Sequence, residues 1–222
     1  MGVSLIYMPS QYIVKYMGAN PINWLQAHKD KAKRGGLGDK CGVTPSPAVF
    51  EFLNLLHERK GLFNQKDYKE YCWAAWGRDG WIENLSSEIR GGLGVRLYRN
   101  FYPSMIDSLH VWALLAETQL FDVCFLDSTA DAVAKTDLTL VKGSTEYRIA
   151  LFAGSKRSVN DRLYKLKNRN TESEVLCIDV VLPMERKQSY GKKRWYEIGD
   201  FENFIQQAGL KFSPLDTPPQ QV

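Results

Sequence analysis

Histidine and cysteine are scarce in this chain: its 222 residues include three of the first and four of the second. Cys41, Cys72, Cys124 and Cys177 lie far apart, with no Cys-x-x-Cys step and no histidine pair nearby. Structural zinc needs thiolate or imidazole ligands at close, regular spacing, so this scatter argues against a zinc module. Scattered thiols also argue against a disulfide-stapled secreted domain and fit a reduced, cytoplasmic protein. Cys124 and Cys177 sit in apolar runs and are expected to be buried thiols. Long apolar runs are missing too. No stretch reaches the roughly 18 apolar residues of a spanning helix, so no membrane partner is expected. The opening, MGVSLIYMPSQYIV, has neither the basic start nor the small-residue cleavage site of a secretory leader. Gly2 meets only part of a myristoylation pattern.

A strong excess of one charge is also absent. Twenty-nine Lys and Arg face 25 Asp and Glu, a net +4. The distribution says more than the sum. Residues 156–169 hold six bases and one acid, and 185–194 hold five more bases. A solvated helix face explains such runs about as well as function does. If the run is functional, the partner is a polyanion, nucleic acid before others and DNA before RNA.

What is present supports a folded α+β protein. Hydrophobic residues make up 44% and charged ones 24%, ordinary values for a globular chain. Residues 1–43 read as irregular, with a basic, Gly-rich stretch, HKDKAKRGGLGDKCG. The pentapeptide RGGLG occurs at Arg34–Gly38 and again at Arg90–Gly94. Glycines beside arginine can let a backbone approach phosphate, but two helix-flanking turns are the stronger reading.

Residues 44–102 read as a helical lobe. TPSPAVFEFLNLLHERKG gives a helix with Ser46 as cap, Pro47 in its first turn and Gly61 as stop. NQKDYKEYCWAAWG follows with Asn64 as cap, then GWIENLSSEIRGG, then GVRLYRNFYP, which Pro103 should end. The lobe is rich in Trp and Tyr. Such rings can stack on bases, but at helical spacing they are more often core. They could also anchor a protein partner.

From Pro103 the pattern changes. A helix over 103–118 is apolar almost all round. Strands follow near 122–127, 137–142, 146–152 and 175–182, with Gly143-Ser144 as a hairpin turn. A basic amphipathic helix is expected over 158–168. DFENFIQQAGL closes the core of 103–210, with Asp200 as cap and Gly209 as stop. Residues 211–222 read as a disordered tail.

The order helix, strand, strand, strand, helix, strand, with Asp137 heading the second strand in KTDLTLV, resembles the PD-(D/E)xK nuclease superfamily. The resemblance covers about the C-terminal half of the chain. It implies a restriction-endonuclease-like core: a mixed central sheet flanked by helices, here with an N-terminal helical lobe. It also implies metal-assisted phosphodiester hydrolysis. An aspartate and a glutamate would bind Mg²⁺ or Mn²⁺, and a lysine two residues after the glutamate would stabilise charge on the phosphate. Asp137 matches the aspartate, with Thr136 before it in place of proline. Asp107 on the preceding helix could add an acid, though a helix-cap role explains it equally. Asp127 or Asp131 could supply a second carboxylate, so the expected metal set is Asp137, Asp107 and Asp127. His110 reads as a core histidine.

The third motif departs from the family. Glu146-Tyr147-Arg148 looks like ExK, but a two-residue turn at Gly143-Ser144 pairs Lys142 with Thr145 and Asp137 with Ala150. Glu146 then sits beside Val141, about 13 Å from Asp137 at about 3.4 Å per residue, too far to share one ion. The facing positions, Ala150 and Phe152, carry no ligand.

Three readings follow. The first is a degenerate core that binds nucleic acid without cutting, as a subunit of a larger assembly and with no cofactor. Its phosphate contacts would be Lys156, Arg157, Arg162, Lys165, Lys167 and Arg169. The second is an active Mg²⁺- or Mn²⁺-dependent endonuclease, of restriction, mobile-element or phage-defence type, with Lys156 as a relocated catalytic lysine beside Asp137 and Asp107. The third is a protein-interaction scaffold.

Overall fold

A computed structural model describes residues 8–20, 45–78, 80–126, 136–153, 176–182 and 195–210. Among them are six α-helices and one four-stranded mixed sheet, an α+β fold. The chain divides into two compact units. Met8 and Ile13–Ile106 fall in one, and Pro9–Tyr12 and the residues from Asp107 onward fall in the other.

The first element corrects the expectation of an irregular start. Residues 10–19 form a helix, α1 (Ser10–Ala19). Ile13 and Met17, four apart, are both buried. The cap comes from far along the chain: Ser10 donates both its N–H and its hydroxyl to the Glu117 carboxylate, at 2.6 and 2.7 Å. A carboxylate at a helix N-terminus also suits the helix dipole.

The helical unit is built on α2 (Pro45–Arg59), α3 (Gln65–Arg78) and α4 (Ser87–Arg96). α2 begins one residue ahead of Ser46. The chain leaves it through Lys60 in the left-handed conformation, φ 51°, and not through Gly61. Asn64 caps α3 as expected, accepting from the N–H groups of Lys66 and Asp67. Phe52, Phe63, Tyr68 and Tyr102 form one buried aromatic cluster with ring centroids 4.8–6.2 Å apart. Tyr68 donates its hydroxyl to Ala48 O at 2.8 Å and Tyr102 to Phe63 O at 2.6 Å. These rings are core.

Two expectations in this unit are corrected. Residues 80–85 are not helical; the helix starts after Ser86, whose hydroxyl accepts from Ile89 N–H. Arg90–Gly94 therefore lies inside α4 and flanks no helix. Gly94 is the contact point there: a β-carbon on it would stand 3.5 Å from Lys69 Cε and 3.8 Å from Trp73 Cη2. The other copy, Arg34–Gly38, lies outside the described residues. Nor does Pro103 end a helix. α4 runs through a π-helical turn, Leu97–Phe101, directly into α5 (Tyr102–Glu117). In the turn Tyr102 N–H bonds Leu97 O, five residues back. The next acceptor in that register is Tyr98 O, and Pro103 has no N–H to give it. Gln65 Nε2 donates to that carbonyl at 2.8 Å instead.

In the other unit the strands are β1 (Val123–Phe125), β2 (Leu138–Lys142), β3 (Thr145–Ala153) and β4 (Leu176–Leu182), in that spatial order. β1, β2 and β3 are antiparallel in turn, and β4 runs parallel to β3. The hairpin register is the expected one, Lys142 opposite Thr145 and Val141 opposite Glu146. Gly143 takes φ 57° at the first central position of the turn, as a type II′ turn requires. The Asp122 carboxylate fastens this tip, accepting from Gly143 N–H at 2.7 Å and Lys142 Nζ at 3.1 Å.

One face of the sheet is packed. Leu138, Leu140, Tyr147, Ile149 and Val180 are all buried on it. Tyr147 meets Phe121 and Phe204, which stack on each other at 5.8 Å. Phe204 belongs to the last helix, α6 (Glu202–Gln207), which follows a 3₁₀ turn, Ile198–Phe201. Asp200 is not the cap. It closes a capping box on Glu197, accepting from Glu197 N–H at 2.8 Å. Gly209, φ 70°, follows the helix as expected. Trp112 of α5 donates Nε1–H to Cys124 O at 2.8 Å and so ties that helix to β1. The helix expected over 158–168 and the tail 211–222 lie outside the described residues.

Candidate functional site

Asp137 stands at the head of β2. Its N–H bonds Ile149 O at 2.7 Å. The β2–β3 pairing ends at Leu138–Ile149, and Asp137 stands just outside it. Its carboxylate is engaged locally, with Oδ2 accepting the N–H of Leu151 at 2.7 Å. β2 has run out at that point, so the side chain takes the place of a backbone acceptor.

Glu146 and Arg148 lie near the turn and pair with each other, Arg148 Nε donating to Glu146 Oε1 at 2.7 Å. The ExK-like triplet is thus closed on itself, several residues from Asp137.

Asp107 on α5 is half-buried. A side chain that no sequence motif marks, Tyr196, lies within electrostatic reach of both Asp107 and Asp137. Tyr196 is buried. Burial, and then the negative charges of Asp107, Asp137 and Asp200, push its phenol well above the usual tyrosine range. Three carboxylates from α5, β2 and the 3₁₀ turn therefore act on one phenol. Beside it, the Trp195 ring lies 4.7 Å from that of His110, one turn along α5 from Asp107. His110 is 3% exposed and sits in the core, as expected.

Asp179 is the other residue that sequence reasoning missed. It lies in β4 directly across from Ala150. Ala150 and Asp179 are thus cross-strand partners, and Asp137 stands just outside the β2–β3 ladder. Asp179 is exposed. The available signal was a single acid inside the apolar run VLCIDVVL.

In β2, Thr139 is 2% exposed, and Thr136, just before the strand, is fully buried. Neither hydroxyl finds a hydrogen-bond partner among the described residues. Cys124 is half-buried, and burial pushes its thiol up to about 12, so it is not a reactive thiolate.

A hard divalent ion takes six or more oxygen ligands, several of them carboxylates. Among the described residues no three of His, Cys, Asp and Glu stand where they could share a metal ion. Asp107 and Asp137 do not complete a magnesium site with the groups described. Asp127, Asp131, Lys156, Arg157, Arg162, Lys165, Lys167 and Arg169 lie outside the described residues. No protein-family model, curated protein or solved structure matches this chain.

Proposed function

We propose that this chain is a nucleic-acid-binding subunit, built on a PD-(D/E)xK-like frame without a working catalytic set and acting within a larger assembly. The observation that carries the reading is the hairpin register. Glu146 pairs with Val141 near the turn and is held by Arg148, well along the strand from Asp137. The Asp137 carboxylate is also engaged with backbone. Phosphate contacts need only Lys, Arg and backbone N–H, so they outlast catalysis. The six bases of residues 156–169 supply them.

The test has two arms. In the first, an Arg162→Ala, Lys165→Ala, Arg169→Ala variant is titrated with DNA and RNA at several salt concentrations. Affinity should fall about evenly across sequences, with a flatter salt slope. Unchanged affinity counts against this surface. In the second, the chain is incubated with single- and double-stranded substrates and Mg²⁺ or Mn²⁺, and no cutting above background is expected.

One observation favours a second reading, an active metal-dependent endonuclease: Asp179 adds a carboxylate on β4, the neighbour of β3, whose Leu151 N–H bonds Asp137. Robust cutting abolished by both Asp137→Ala and Asp179→Ala would install it in place of the first. Lys156 would then be the first cation to test, since its long stem gives it reach.

A further inference from the structure

We draw no further inference here: the strongest candidate, the acids Asp137, just before β2, and Asp179, in β4, with the buried Thr139 hydroxyl, belongs to the candidate site already described.

Discussion

In the helical unit, Tyr68 and Tyr102 carry their hydroxyls into the core, and each meets a backbone carbonyl, Ala48 O and Phe63 O. Even the carbonyl that Pro103 leaves over is taken up, by Gln65. In the sheet unit, Thr136 and Thr139 are as deeply buried, yet neither hydroxyl has a partner among the described residues. A buried polar group left unsatisfied costs about 1–3 kcal/mol. Among the groups named, the tyrosine hydroxyls and the Tyr98 carbonyl of the helical unit are matched, whereas the two threonine hydroxyls are not matched within the described residues.

The contrast can be broken most forcefully at the aromatic cluster. Phe52→Ala should cost about 3–5 kcal/mol, the usual figure for deleting a buried ring. Denaturant unfolding measures it. A loss below about 1 kcal/mol would mean that the four rings do not form the core of their unit.

Next in size is Asp137. Asp137→Ala leaves the Leu151 N–H without its acceptor and should cost about 1–3 kcal/mol. Asp137→Asn retains an acceptor oxygen and should cost well under half as much. Equal losses would show that the negative charge, and not the hydrogen bond, is what holds Asp137 in place.

Hydroxyl deletions sharpen the comparison further, because the two units should respond with opposite signs. Tyr68→Phe removes the hydroxyl's added bond to Ala48 O, a carbonyl inside α2, and should destabilise by about 1 kcal/mol. Thr139→Val removes an unsatisfied group at nearly constant shape and should be neutral or stabilising. A clear loss in Thr139→Val would show that this hydroxyl is satisfied in solution.

The smallest effect is local. Gly143 N–H, and then Lys142, hold the exposed Asp122 carboxyl below the usual carboxylate range. A lowered native value stabilises above the unfolded value of about 3.9, and the contribution fades as pH falls through the native value beneath it. The protection of Gly143 N–H, its exchange rate relative to that of an open chain at the same pH, should hold near neutrality and fall only in acid. In Asp122→Ala protection should be low throughout.

The sheet was legible because its signals are local. Gly143-Ser144 sets the register of β2 on β3 by counting alone, and Asn64 announces α3 by its own side chain. Elsewhere the deciding partner lies far along the sequence. Ser10–Ala19 carries little helix signal of its own, and its cap, Glu117, stands 107 residues away. Pro103 reads as a stop by every local rule; it is tolerated because the π turn widens the helix and Gln65 takes the carbonyl left over. At the candidate site, the place of Asp137 at the head of β2, away from Glu146, was readable from the hairpin. Asp179 was not, because parallel strands share no turn that fixes their register. Tyr196 was hidden for the same reason: only the folded chain sets it beside Asp107 and Asp137.

The bond between Asp137 and Leu151 N–H has a consequence for how this position can change over generations. An asparagine oxygen accepts that hydrogen as an aspartate oxygen does. As far as this one bond is concerned, drift between Asp and Asn would cost folding little. A lineage that holds the acid at 137 while neighbouring surface positions wander would be selecting for charge, and so for chemistry. A lineage that exchanges it freely for the amide would have kept only the architecture.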